Sequence, residues 1–206
     1  MSQSTLQEWL VESKACQPAL DWLGTRTLKQ AWADCEDPQR MLWLLEKLAY
    51  NDEQTLRLYA CWCAANTPLG DGRVTWDLLT DNRSRKAILV SINYANGEAT
   101  AEELAAARDA ADAAWAALDA WAAGDAAWAA WAVWAAGAAR AAAGDAAGDA
   151  ARDAAWDAAR AARADAGDAG AARAARDVAR MAQAVELRRR IPYSVVAKLA
   201  RKVGIR

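Results

Sequence analysis

Residues 99–122 read ATAEELAAARDAADAAWAALDAWA, and the same vocabulary of alanine, aspartate, arginine and tryptophan runs on to residue 184. Alanine is the strongest helix former, and Thr100 with Glu103 makes a capping box that opens a helix. Drawn as one unbroken helix, residues 99–184 would span about 130 Å at 1.5 Å per residue. That is too long for a compact chain of 206 residues. The run is therefore expected to fold back as long helices packed antiparallel. Gly124-Asp125 and the stretch 165–170 are the expected hinges, because each joins glycine to a capping aspartate. Alanine buries little area, so such helices gain by close approach while scattered tryptophans supply the large apolar surface.

Upstream, the chain is a series of helix starts and stops. Thr5 with Glu8 and Thr27 with Gln30 read as capping boxes. Pro18 suits a first turn and Gly24 a terminus. Asp37-Pro38 opens a helix whose Met41, Leu42, Leu44, Leu45 and Leu48 form an apolar face. Asn51 or Asp52 starts the next, ended by Pro68, and Gly70-Asp71-Gly72 is a turn. A short helix follows Thr75. Asp81 or Asn82 caps a longer one that ends at Asn96-Gly97. No stretch alternates with period two for long. Downstream, Ile191-Pro192 ends the alanine-rich region and a short basic helix is expected over 194–203. The expected fold is all-α, with an N-terminal bundle of short helices over 1–97. An Ala/Trp-rich helical region with a basic C-terminal helix follows over 98–206.

Composition narrows the function classes. Twelve Trp stand beside no Phe, and the formal net charge is −2. Between residues 97 and 185 there are fourteen acids against eight arginines, whereas 188–206 is basic. Histidine is absent, which removes the usual general base and the commonest metal ligand. Cys16, Cys35, Cys61 and Cys63 include no C-x-x-C pair, so they read as small buried hydrophobes rather than zinc ligands. The start of the chain carries no secretory signature. The longest uncharged part of the alanine-rich run falls short of about 20 residues, so no membrane span is expected. A cytoplasmic protein without metal or cofactor is the expectation.

Three groups of side chains carry alternative readings. Trp121, Trp128, Trp131 and Trp134 share a broad sector of one helix, a stripe that reads as core or as an aromatic groove. Asp145, Asp149, Asp153 and Asp157 recur every fourth residue, which is repulsive on an isolated helix. Arg173, Arg176 and Arg180 on an antiparallel neighbour would relieve them. A Mg²⁺ ladder or an acidic stripe offered to a basic partner are the functional alternatives. Finally, Trp43, Trp62 and Trp76 with Arg73, Arg83 and Arg85 offer stacking and phosphate contacts to a nucleotide-like ligand. Their plainer reading is core tryptophans and a solvated helix start.

The run Ala15-Cys16-Gln17-Pro18-Ala19-Leu20-Asp21-Trp22-Leu23, the stretch Ala31-Trp32-Ala33-Asp34-Cys35-Glu36 and Met41-Leu42-Trp43-Leu44-Leu45 come in order before Gly97-Glu98-Ala99-Thr100 and the alanine-rich run. Together they resemble the alanine-rich all-α immunity proteins of polymorphic toxin systems, also common in phages. That resemblance implies a non-enzymatic protein that neutralises a toxin or a host defence component. The alternatives are a sponge sequestering a small nucleotide-like immune signal between helices and, with less support, a Mg²⁺-dependent nucleotide hydrolase. No catalytic residue is assigned and nucleic acid is disfavoured as a partner. A homo-oligomer through the alanine seam is compatible with each reading.

Overall fold

The computed structural model describes residues 5–122 and 169–205. Among them the regular structure is helical, and isolated bridge residues at Pro68, Val74 and Ile205 are the nearest thing to a strand. The hinge at Gly124-Asp125, the tryptophans at 128, 131 and 134 and the aspartates at 145–157 lie outside the described residues. So does the first part of the 165–170 hinge, while Ala169 and Gly170 open a helix.

The chain forms two compact units, Met1–Asn51 with Ala184–Arg206 and Asp52–Gln183. The first holds α1 (Leu6–Glu12), α2 (Gln17–Leu23), α3 (Leu28–Asp34) and α4 (Pro38–Lys47). The second holds α5 (Glu53–Asn66), a 3-10 turn (Thr75–Leu78), α6 (Asn82–Ala95) and α7 (Ala101–Ala122). Helix α8 (Ala169–Arg190) contributes to both, and α9 (Tyr193–Lys202) completes the first.

Local chemistry sets nearly every helix start. Thr5 and Thr27 make reciprocal capping boxes with Glu8 and Gln30, and Thr100 with Glu103 does the same for α7. Asp37, Asp52 and Asp81 accept from backbone N–H groups of the first turns of α4, α5 and α6. Each such cap stabilises by about 1 kcal/mol by satisfying an otherwise orphaned donor. Helix ends are less uniform. Glycine takes the left-handed position after α6, where Gly97 has φ 77°. The same double hydrogen-bond pattern closes α1 and α4 around Lys14 (φ 63°) and Ala49 (φ 55°). Side chains are strained in that conformation. Ala49→Gly is therefore expected to raise stability by about 0.5–1 kcal/mol, the relief exceeding the entropy glycine adds to the unfolded chain. Urea denaturation checks it, and a loss of stability would show that the Ala49 methyl is needed for packing.

In the first unit, Leu23, Trp32, Met41, Leu45 and Leu48 are nearly inaccessible, and α9 packs on α3 with Val196 and Ala200 buried. Arg188, in the last turn of α8, donates to the carbonyls of Cys35 (2.6 Å) and Trp32 (3.4 Å) at the C-terminal end of α3. Two residues earlier, Glu186 is 7 % exposed and accepts from Arg189 (2.6 and 2.7 Å) and Arg190 (2.6 Å). Burial pushes the Glu186 carboxyl up, but the Arg189 hydrogen bond and the charges of Arg190 and Arg189 more than reverse this, leaving it below its ordinary 4.5. A carboxyl held low in the folded state stabilises fully above its unfolded pKa and loses that contribution as pH falls through the folded value. Glu186→Gln is expected to cost about 1–2 kcal/mol at pH 7. The melting-temperature gap from wild type should close on acidification below the ordinary carboxylate range. A gap that persists at low pH would refute the ionic origin.

In the second unit, α6 packs between α5 and α7. Its face toward the core carries small residues at helical spacing, Ser84, Ala87 and Ser91, with Ile88 beside them, all essentially buried. Ala87 clusters with Ala107 and Ala111 of α7, the close alanine approach expected from composition. Helix α5 buries Tyr59, Ala60, Cys61, Cys63 and Ala64, so both residues of the C-x-C pair are core. Arg57 is buried with its guanidinium 4.8 Å from the Tyr94 ring centroid. The loop after α5 is a tight return in which Gly70 and Gly72 have φ 90° and 93°. A Cβ on Gly70 would also come within 3.3 Å of the Ala175 methyl, so the position needs glycine for both conformation and approach.

Candidate ligand-binding cleft

The first unit holds an apolar cleft of about 420 Å³ walled by α1 to α4, beside a larger and more polar hollow of about 720 Å³ lined by the start of α3 and by α9. The floor of the cleft is made by buried Leu10, Leu23, Leu28, Trp32 and Met41. Ala15 between α1 and α2, Ala19 of α2 and Ala31 of α3 line it with small side chains. Larger side chains there would fill it.

Three tryptophans shape the walls. Trp22 of α2 is half-buried beneath two guanidinium groups, Arg26 at 4.9 Å and Arg40 at 5.8 Å from the ring centroid. Arg26 is anchored to the Trp22 carbonyl and lies 3.8 Å from Asp34. Arg40 lies 3.6 Å from Asp37. Trp43 of α4 is half-buried with the Lys47 ammonium 5.9 Å away. Trp32 is 3 % exposed, and its indole N–H is buried with no acceptor among the described residues. Cys35 lines the same cleft and its thiol donates to the Asp37 carbonyl at 3.4 Å. Burial pushes that thiol up, so it stays protonated and behaves as an apolar wall residue. Cys16 sits at the start of α2 and is exposed, unlike the other three cysteines, which corrects the expectation that all four are buried.

The residues singled out from the sequence for a nucleotide-like ligand are distributed over both units. Trp43 belongs to the first unit; Trp62, Trp76, Arg73, Arg83 and Arg85 belong to the second. Within the second, Arg85 stacks 5.5 Å from the Trp76 ring. Arg73 and Arg83 are engaged by acids two residues away. Arg73 Nε donates to Asp71 at 2.7 Å, and Arg83 Nη2 to Asp81 at 2.7 Å. These hydrogen bonds hold both carboxyls below the usual range. A phosphate would have to displace the resident carboxylates. Among the described residues no three His, Cys, Asp or Glu side chains converge as a metal site. No helix there is long and apolar enough to cross a membrane.

No sequence motif marks Trp22, Trp32, Arg40 and Lys14 as site residues. Their apolar neighbours read as ordinary core faces of short capped helices. The available signal was the set of alanines at 15, 19 and 31 opposite large aromatics. No family model matches the chain, and no curated protein and no solved structure matches it.

Proposed function

We propose that this chain is a non-catalytic binding protein that neutralises a toxin or host defence component by direct contact. The observation that carries this reading is the charge of the first unit, where twelve basic residues stand against eight acidic ones. On α9, Lys198, Arg201 and Lys202 are exposed while Val196 and Ala200 anchor the opposite face. A cationic face on an anchored helix suits an acidic protein surface, steering encounter and fixing register. The family resemblance points the same way.

The test pairs purified chain with a panel of toxin and effector proteins, followed by calorimetry and a growth-rescue assay. A stable complex weakened about tenfold by charge reversal at Lys198, Arg201 and Lys202, and by raised salt, is expected. Binding to nucleic acid in preference to every protein would overturn the reading, as would failure to bind any member of the panel. A second reading, a sponge for a small nucleotide-like signal, has only the volume of the cleft in its favour, which falls in the range of small-molecule sites. Calorimetry against cyclic and linear nucleotides tests it directly.

A further inference from the structure

We propose that the cleft of the first unit binds an anionic amphiphile, a molecule with an apolar body and a single carboxylate head. This goes beyond the antagonist reading and does not depend on it. The cleft, about 420 Å³ and bounded by four helices, has room for a small molecule rather than for one side chain of a partner. The walls are leucine, alanine, methionine and tryptophan, so the body of the occupant is apolar.

Charge then selects the head. Among the described lining residues the charged side chains are Lys14 and Arg40, and no acid lines the cleft. Lys14 is exposed and makes no ion pair among the described residues, while Arg40 is held only loosely by Asp37 at 3.6 Å. The buried Cys35 thiol stays neutral and adds no negative charge. A carboxylate gains from the two lining cations, one of them shared with Asp37, whereas an ammonium head is repelled.

A nucleotide fits this chemistry less well. Its base edge presents several donors and acceptors, and the apolar walls would leave most of them buried without partners. Two cations are also few for a polyphosphate.

The experiment is isothermal titration of the full chain with dodecanoate below its aggregation concentration. Dodecanol, dodecylammonium and AMP are the comparators. Saturable 1:1 binding of dodecanoate is expected, at least tenfold tighter than either comparator with the same chain. Ala19→Leu, which fills the cleft, should abolish it, with helicity checked by circular dichroism. Should that variant fail to fold, Arg40→Gln serves instead: it should lose about tenfold for dodecanoate and leave dodecanol unchanged. Absence of saturable heat overturns the assignment. So does equal binding of the carboxylate and the ammonium, or preference for AMP. Vesicles of phosphatidylglycerol form a separate arm. Cleft-dependent sedimentation with them would place the acyl chain in a membrane and overturn the assignment to a free molecule. The titration requires no protein partner, so its failure is distinct from failure of the antagonist reading.

Discussion

Replacing Arg188 with methionine is expected to destabilise the protein by about 2–3 kcal/mol, the largest effect foreseen for a residue that is not purely apolar. Its guanidinium donates to the Cys35 and Trp32 carbonyls at the end of α3 and lies 4.0 Å from the Met41 sulfur. Those carbonyls belong to the last turn of a helix, where acceptors go unsatisfied and partial negative charge accumulates. A cation there forms charge-assisted bonds worth about 1.5–3 kcal/mol. Methionine matches much of the volume, so the loss isolates the polar contribution from packing. Arg188→Lys should recover part of it, because one ammonium does not reproduce the planar fork. Guanidinium denaturation of the three proteins is the measurement. Equal stability of wild type and the methionine variant would show that water satisfies the carbonyls as well as arginine does.

The second large effect is in the other unit. Gln183 and Thr67 are fully buried, and Gln183 Nε2 donates to Thr67 Oγ1 at 3.0 Å. Thr67 Oγ1 in turn donates to the Cys63 carbonyl at 2.8 Å, which Thr75 Oγ1 also reaches at 3.3 Å. This network ties the loop after α5 to α5 itself and to α8. Thr67→Val removes the acceptor from a buried amide and is expected to cost about 2–3 kcal/mol, chiefly desolvation. Gln183→Leu should cost a similar amount. The double variant should cost clearly less than the two together, because no donor is then left facing a methyl group. Additive losses would mean that the two side chains do not act as a pair.

Much of the helical framework was legible in the chain. Thr5, Thr27 and Thr100 cap their helices with Glu8, Gln30 and Glu103, as their spacing implies, and Asp37, Asp52 and Asp81 do so alone. Glycine marked the end of α6 at Gly97, yet α1 and α4 end in the same geometry on Lys14 and Ala49. Nothing in those two residue types announces a left-handed turn, so their helix ends were less sharply readable. The cleft was the least readable part. Trp43 stands among six sequence candidates that the fold divides between two units. Trp22, Trp32, Lys14 and Arg40 acquire meaning only once four helices are placed around the gap left by Ala15, Ala19 and Ala31.

Local pattern and composition were enough for the all-α class, most helix starts, the glycine-dependent turn at 70–72 and the separation of acidic from basic segments. These depend on interactions between residues two to four apart, or on composition, and need no knowledge of packing. The tertiary structure alone decided that the basic C-terminal segment joins the first fifty-one residues in one unit. It also decided that Arg188 closes the end of a helix 153 positions upstream, and that small and aromatic side chains of α1 to α4 leave a cleft. Such features arise from contacts between residues far apart in the chain, whose partners are fixed by shape complementarity and buried polar pairing rather than by any local pattern.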